Sequence, residues 1–347
     1  MAGYREKFIR ASGFFRIPVP VSLLAKITRQ KIIVPVYHLV SDEPAGHIKH
    51  LYEVRNEKEF ARDLDFLLKN YSPVDYFTFH DIIMNRKTLK KNIFLLTFDD
   101  GLREFHDVIA PVLLRKGIPA VCFLNSGFID NKDLFYRHKA SLLINFFSEN
   151  PRHLTDAKVL NWLHGQPESG NFFFRKIILS VSWQNRQSLD DLEQIIGLDF
   201  NQYLLAKQPY LTGAQIISLK NRGFYFGAHS VNHPDYCMLS LDEQIFQTRS
   251  SMEEIISRFS LPYRIFSFPF TDDGISEDFF QTIFEKEKIV DLSFGSAGLK
   301  RDVFPFHIQR IPFETMRLSA KEIVKGEYFY FLAKAAFGKN RIKKKND

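Results

Sequence analysis

The chain has 347 residues, of which 45% are hydrophobic and 25% charged, a composition typical of a globular protein and unlike that of a disordered or fibrous one. Its two cysteines do not provide a disulfide framework, and its net charge of +7 is not gathered in a recognisable nucleic-acid-binding motif. No run of about 18 apolar residues predicts a transmembrane helix, and prolines interrupt the N-terminal apolar run, which makes it a poor signal peptide. We therefore expect one elaborated cytoplasmic domain.

The first part of the chain alternates strands and helices. KIIVPVYHLV (31–40) is rich in β-branched residues and is typical of a buried strand. Asn56 and Glu59 form a capping-box pattern in front of a stretch with apolar residues at helical spacing. FLLTFDDG (94–101) and PAVCFLN (119–125) predict two further strands with a helix between them. The order predicted so far is β-α-β-α-β.

Between residues 130 and 210 the pattern changes to long amphipathic stretches without a convincing strand, which indicates a helical insertion. Beyond it, Thr212 and Ser240 are predicted N-caps of two helices on either side of the strand FYFGAHS (224–230). Three more apolar runs of strand length follow: RIFSFPF (264–270), IVDLSF (289–294) and HIQRIPF (307–313). Strands that alternate with helices imply a parallel sheet, either open or closed into a barrel.

We divide the chain into an N-terminal extension (1–30), a principal α/β domain (31–320) that contains the insertion, and an aromatic and basic C-terminal tail (321–347). The tail contains EYFYFLAKAAFG followed by several lysines. It is interpreted first as a terminal helix docked on the core, with peripheral contact to an anionic membrane surface as the alternative. Its last, charged residues are expected to be solvated.

Polar or special residues stand at the ends of four predicted strands, where the functional residues of parallel α/β folds gather. These residues are His38, the Asp99-Asp100 pair, His229 and the Pro269-Phe270 pair. Two adjacent carboxylates disfavour each other's ionisation, whereas a divalent cation bound to one of them leaves the other free to act as a base. The alternative for this pair is an ordinary Asp-Gly turn with solvated carboxylates.

HSVNH (229–233) places two histidines four residues apart, so both imidazoles can reach one ion in a helical or tight-turn conformation. The pair is a weak signal alone, but together with the aspartates it predicts a metal site. Two imidazoles and one carboxylate favour zinc, and cobalt, nickel or iron fit the same ligands. The histidines outside these patterns are predicted to be surface residues: His47, His50, His106, His138 and His164.

The three motifs TFDDG, HSVNH and FSFPFTDDG together resemble those of the polysaccharide deacetylase, or NodB-homology, family. The resemblance covers roughly residues 32–313 without the insertion. It implies a distorted (β/α) barrel of about seven parallel strands. It also implies a metal-dependent hydrolase that removes N-acetyl groups from N-acetylglucosamine-type sugars of a polysaccharide or glycan precursor, and residues 31–320 would then be its catalytic domain.

By the same resemblance, Asp99 would be the general base. One divalent metal would be held by Asp100, His229 and His233, and the backbone N–H of Phe270 would stabilise the oxyanion.

Two histidines are candidates for the general acid. His38 follows a tyrosine on the first strand, as in members that resemble poly-N-acetylglucosamine deacetylases, and it is favoured over His307 near the chain end, for which a structural role is preferred. Ser267 stands where many members carry an arginine that orients the base. We therefore expect the alignment of Asp99 to be set in another way.

Three alternatives remain open at this stage. The same metal site could remove O-acetyl or other acyl groups, the chain could be a catalytically inactive carbohydrate-binding relative, or it could be a scaffold that acts at a membrane surface through its tail. A carbohydrate is the expected partner in the first two cases, and no nucleic acid is expected.

Overall fold

The computed structural model describes residues 4–14, 19–165, 174–314 and 317–344. Its strands are all short and parallel to their neighbours. In chain order they are β1 (Ile32–Ile33), β2 (Pro35–Tyr37), β3 (Ser72–Pro73), β4 (Ile93–Phe94), β5 (Leu96–Phe98), β6 (Ala120–Leu124), β7 (Tyr225–Ala228), β8 (Ile265–Ser267), β9 (Leu292–Gly295), β10 (His307–Gln309) and β11 (Ile311–Pro312).

Eight of these strands form the central sheet, in the order β10-β9-β8-β7-β6-β5-β2-β11. The strands at its two ends, β10 and β11, belong to one continuous segment, residues 307–312. Ile308 in β10 is in register with Phe294 in β9, whereas Pro312 in β11 is in register with Val36 in β2. This segment brings the two ends of the sheet together into a nearly closed barrel of seven chain segments, which confirms the predicted distorted (β/α) barrel.

A second, three-stranded sheet of order β1-β4-β3 continues two of the barrel strands toward their amino ends. The sequence predicts one strand over 31–40, but Val34 separates β1 in the small sheet from β2 in the barrel. Leu95 divides β4 from β5 in the same way. Both residues are buried, so the two sheets share one apolar core.

The described helices are α1 (Tyr4–Phe14), α2 (Val21–Thr28), α3 (Glu57–Asn70), α4 (Tyr76–Met84), α5 (Ala110–Lys116), α6 (Tyr136–Glu149), α7 (Ala157–His164), α8 (Phe174–Ser180), α9 (Gln187–Ile196), α10 (Phe200–Lys207), α11 (Gly213–Asn221), α12 (Leu241–Phe259), α13 (Glu277–Gln281) and α14 (Ala320–Ala335). The predicted caps are confirmed. Asn56, Thr212 and Ser240 each accept a hydrogen bond from the backbone three residues on, in complete capping boxes.

The insertion consists of α6 to α10 and packs around its own cluster of buried apolar side chains, which includes Leu143, Phe147 and Leu189. Two histidines predicted to lie on the surface are buried beside this cluster. His47 contacts the hydroxyl of Tyr203 and His138 that of Tyr210, through Nδ1 at 2.8 and 2.7 Å. The prediction was wrong because a tyrosine distant in sequence contacts Nδ1 of each imidazole, which lowers the cost of burying the ring.

Helices from both ends of the chain pack together on the barrel. Ile323, Tyr328 and Phe331 of α14 are buried, and Glu327 pairs with Arg5 of α1 at 2.6 Å. This packing agrees with the docked-helix interpretation of the tail. In the described parts of the chain, no helix has the length and apolarity needed to cross a membrane.

The expectation that the last charged residues are solvated is wrong for Lys344. Its side chain is only 2% exposed, and its ammonium group lies 2.6 Å from a carboxylate oxygen of Asp272. A buried carboxylate therefore attracts a lysine that composition alone assigns to solvent.

Candidate active site

The two aspartates lie at the carboxyl end of β5, and a sharp turn separates their directions. Asp100 and Gly101 both have a positive φ, 72° and 63°. A Cβ on Gly101 would lie 2.8 Å from Cδ2 of Leu124 in β6, so only glycine fits this turn without a shift of its neighbour. The turn allows consecutive carboxylates to enter the same cavity from one strand end, and both are buried.

Asp100, His229 and His233 converge on one point. Oδ1 of Asp100 lies 3.5 Å from Nε2 of His229 and 3.3 Å from Nε2 of His233. One potential ligand atom from each residue lies within 4.8 Å of the others, and all three residues are buried. Oδ1 of Asp100 has no hydrogen-bond partner despite its burial. A buried carboxylate oxygen without a partner, facing two imidazole nitrogens, fits the donor set of a divalent metal of the zinc type.

The histidine loop after β7 is shaped to present both rings. Ser230 and His233 have positive φ values of 70° and 58°, which few non-glycine residues adopt. Nδ1 of His229 lies 2.8 Å from the carbonyl oxygen of Ser267 and must donate to it, which leaves Nε2 facing Asp100. Burial lowers the pKa of His229 to about 4, although the Asp99 carboxylate opposes this effect. The imidazole is therefore neutral near pH 7, as a metal ligand requires.

Asp99 is held by an arginine that the motif analysis did not identify. Nη1 and Nη2 of Arg310 donate to its two carboxylate oxygens, each at 2.7 Å, and Nη2 also donates to Oγ of Ser267 at 2.6 Å. Burial alone would raise the pKa of Asp99, but the guanidinium lowers it below its usual value, so the carboxylate is ionised and can accept a proton.

Arg310 lies where the closing segment passes from β10 to β11 and is about 1% exposed. A basic residue within the apolar run HIQRIPF was the available signal in the sequence. Arg310 therefore makes the contact to Asp99 that a serine at position 267 cannot make. This is the other way of aligning Asp99 that the sequence analysis expected.

His38 lies at the carboxyl end of β2 beside a second residue that the motifs did not reveal, Glu314. Nδ1 of His38 lies 2.7 Å from Oε2 of Glu314, whose two oxygens also accept from the backbone N–H groups of His38 and Leu39. Burial lowers the pKa of His38, but the hydrogen bond and charge of Glu314 outweigh it and raise that pKa to about 9. His38 is thus protonated near pH 7. Glu314 lies two residues after the end of β11, a position at which strand-end reasoning could have found it.

His307 lies in a different environment. Its ring is fully buried, with Nε2 3.0 Å from Oδ2 of Asp272 and Nδ1 2.7 Å from the hydroxyl of Ser293. Asp272 in turn pairs with Lys344. These contacts give His307 the structural surroundings that the sequence analysis preferred for it.

Phe270 lies in the loop after β8 and has a φ of 54°. The N–H of Thr271 donates to the carbonyl of Pro269 at 2.6 Å, which closes a tight turn around Phe270. The residue is 42% exposed, and the centre of its ring lies 4.6 Å from that of His233. Strained backbone of this kind concentrates at functional sites.

All six predicted site residues line one cavity of about 560 Å³ at the carboxyl end of the barrel. Arg310 lines the same cavity. The insertion contributes Phe135, Arg137 and Leu179 to its wall. The ring centre of Phe135 lies 4.3 Å from that of His233, and the ring of Phe270 packs on the same histidine. The helices that interrupt the barrel sequence therefore form part of the rim above the candidate metal ligands.

A nearly closed parallel barrel thus carries a cluster of aspartates and histidines in a cavity at its carboxyl end. Residues 86–158 match the family model for polysaccharide deacetylase, which confirms the resemblance inferred from the motifs. The matched range includes Asp99 and Asp100, whereas the histidine and third motifs lie outside it. A comparison with curated proteins finds no significant match. The family match supports carbohydrate deacetylation as the general activity.

Solved structures of deacetylases share the fold. The Streptococcus pyogenes deacetylase PplD, in complex with acetate, aligns with a TM-score of 0.54 at 15% identity, over 85% of this chain and 97% of its own. IcaB from Ammonifex degensii aligns with a TM-score of 0.52 at 15% identity, over 86% and 97%. A de-N-acetylase from Aggregatibacter actinomycetemcomitans aligns with a TM-score of 0.50 at 14% identity, over 84% of this chain and 99% of its own. At sequence identities this low, the alignments show that the chain shares the fold of these proteins.

Proposed function

We propose that this protein is a metal-dependent carbohydrate N-deacetylase that acts on N-acetylglucosamine-type sugars of a polysaccharide or glycan precursor. The observation that carries the proposal is the position of Asp99. Its carboxylate, ionised and clamped by Arg310, lies beside the three converging donors of Asp100, His229 and His233. A protein that only binds sugar has no need of a base next to a metal site.

The ligands of the metal would be Asp100, His229 and His233, and zinc is the ion their chemistry favours. When bound, the metal polarises the acetyl carbonyl and lowers the pKa of water.

The chain's own residues supply the proton transfers. Asp99 accepts a proton from the attacking water, since its carboxylate keeps free lone pairs beyond the two bonds from Arg310. The N–H of Phe270 donates to the developing oxyanion. His38, protonated and oriented by Glu314, donates a proton to the departing amine.

The test is acetate release from N-acetylglucosamine oligomers by metal-stripped protein and by protein reloaded with zinc or cobalt. We expect release only in the reloaded samples, and a loss of about 10²–10⁴-fold in Asp99→Asn, which removes the base but keeps the metal ligands. Asp273→Asn, an exposed aspartate in the loop after β8, is the matched control and should keep full activity.

Metal bound stoichiometrically without acetate release from any oligomer would reject the N-acetyl assignment. O-acetylated sugars would then be tested on the same samples. Release that persists in Asp99→Asn would reject the role of the base.

A further inference from the structure

The wall of the catalytic cavity carries two arginines besides Arg310. Arg5 reaches it from α1, and Arg137 from the first turn of α6 in the insertion. The two residues come from segments outside the motif-bearing strands. They therefore have no place in the hydrolytic step described above.

Arg137 is held close to the site. Its Nη1 donates to the carbonyl oxygen of Leu179, and its guanidinium carbon lies 5.0 Å from the ring centre of Tyr136 and 6.0 Å from that of Phe270. The ring of Phe270 in turn packs on His233. The guanidinium is thus one aromatic ring away from a candidate metal ligand, and among the described residues no carboxylate forms an ion pair with it.

The other cationic groups that line the cavity are each paired with a carboxylate. Arg310 neutralises Asp99, and Glu314 neutralises His38. Arg5 pairs with Glu327, although its buried Nη2 has no hydrogen-bond partner. Asp100 carries one negative charge, which is fewer than the two positive charges of a divalent ion. The loaded cavity would therefore have an excess of positive charge, and Arg137 is its uncompensated protein cation.

We propose that Arg137 binds an anionic group of the substrate, so that the sugar carries a carboxylate or a phosphate close to its acetamide. The proposal rests on the proposed function, because it assumes that the sugar enters this cavity. A planar guanidinium suits both anions, since it can donate two parallel hydrogen bonds to either. The contacts to Leu179 and to the aromatic rings hold it in one orientation, which reduces the entropy lost on binding.

The test measures binding, so that it does not depend on turnover. N-acetylglucosamine 1-phosphate and a glucuronate-containing N-acetylglucosamine disaccharide are titrated calorimetrically into zinc-loaded protein, with N-acetylglucosamine and its neutral disaccharide as references. We expect at least one anionic probe to bind about tenfold or more tightly than its neutral counterpart, equivalent to about 1.4 kcal/mol. Which probe gains more separates a phosphate from a carboxylate as the source of the charge.

Arg137→Met should remove most of this preference and leave the affinity for the neutral probes within about twofold, while Arg137→Lys should retain part of it. Arg222→Met makes the same charge change at an exposed position just after α11, outside the cavity lining, and should have no effect. Because phosphate can also bind the metal directly, only the share of the preference lost in Arg137→Met counts for the proposal.

Equal affinity for charged and neutral probes, or a preference unchanged in Arg137→Met, would overturn the proposal. Acetate release measured with the Asp99→Asn control reports on the proposed function independently. A protein that deacetylates neutral oligomers but shows no Arg137-dependent preference would keep the function and lose this inference.

Discussion

Two clusters of aspartate and histidine lie in the same barrel, and they differ in what neutralises them. In the candidate metal cluster, defined as Asp100, His229 and His233, Oδ1 of Asp100 faces two imidazoles without a hydrogen-bond partner. In the second cluster, defined as Asp272, Asp302 and His307, the donors are equally close, within 4.8 Å. There the ammonium of Lys344 lies 2.6 Å from Asp272 and 3.4 Å from Asp302.

The second cluster is also closed by hydrogen bonds. Nε2 of Gln309 donates to Asp272 at 2.8 Å and to Asp302 at 3.1 Å. A Cβ on residue 295 would lie 2.3 Å from Oδ1 of Asp272, so Gly295 permits this close packing. The comparison teaches that proximity of carboxylates and imidazoles does not define a metal site. The decisive feature is whether the protein itself supplies the cation and the hydrogen bonds.

The largest effect on activity is expected from Asp100→Ala. Removal of this ligand should abolish stoichiometric metal binding and reduce acetate release to background, because two imidazoles alone form an incomplete site. Metal content measured by elemental analysis checks the prediction. Asp302→Asn in the second cluster is the matched control and should still bind one metal per chain; loss of metal there would mean that the wrong cluster has been assigned.

Arg310→Met should produce the next largest effect. It leaves the Asp99 carboxylate buried without its partner, a change that typically costs about 3–5 kcal/mol of stability. The guanidinium lowers the pKa of Asp99, so its removal raises that pKa. The acidic limb of the kcat/KM profile should therefore move to higher pH, because the base becomes ionised only at higher pH.

Chemical denaturation and a pH–rate profile check this prediction. If Arg310→Met loses stability with no movement of the acidic limb, the arginine serves the fold alone. The double variant Asp99→Asn/Arg310→Met should recover part of the lost stability, since no buried carboxylate is left unpaired.

Glu314→Gln should have a smaller effect on activity. Glu314 holds the pKa of His38 at about 9, so the imidazolium is present below that pH and is lost as the pH rises through it. Without the carboxylate, the alkaline limb of kcat/KM should move down by about one pH unit or more. An alkaline limb at the same pH in the variant would show that another group is the general acid.

The smallest effect on activity is expected from Lys344→Met, whose consequence is for stability. The variant leaves two buried carboxylates without their cation, which should cost about 3–5 kcal/mol near neutral pH. The pKa of Asp272 is well below its usual value in the fold, where the contact with His307 and the charge of Lys344 outweigh the opposing effect of burial. Its contribution to stability is therefore present above the unfolded pKa and is lost as the pH falls through the folded one.

Denaturation of wild type and Lys344→Met at neutral and acidic pH tests this pH dependence. The difference in their free energies of unfolding should be smaller in acid. Lys343→Met, the exposed neighbour, is the control. A variant as stable as wild type at neutral pH would show that Lys344 is not the internal cation of the cluster.

The sequence predicted what depends on neighbours along the chain. Several features were predicted correctly because they are local patterns of the sequence. They are the capping box of Asn56 and Glu59, the strand ahead of Asp99, and the spacing of His229 and His233. The resemblance carried by the three motifs then predicted that these elements form one barrel, and the family match agrees with that resemblance. Local signals were less informative where a strand changes partner, as at Val34, because sheet membership depends on distant segments.

Only the tertiary structure decided which charges meet. Arg310 and Asp99 are separated by 211 residues, Glu314 and His38 by 276, and both pairs form because the closing segment of the barrel lies beside β2 and near β5. The burial of Lys344 has the same origin, since a lysine in a basic tail becomes an internal cation only when the fold presents buried carboxylates to it. The sequence by itself determined the reactive groups, whereas long-range packing determined their partners, because the electrostatic cost of burial depends on what the fold brings within hydrogen-bonding distance.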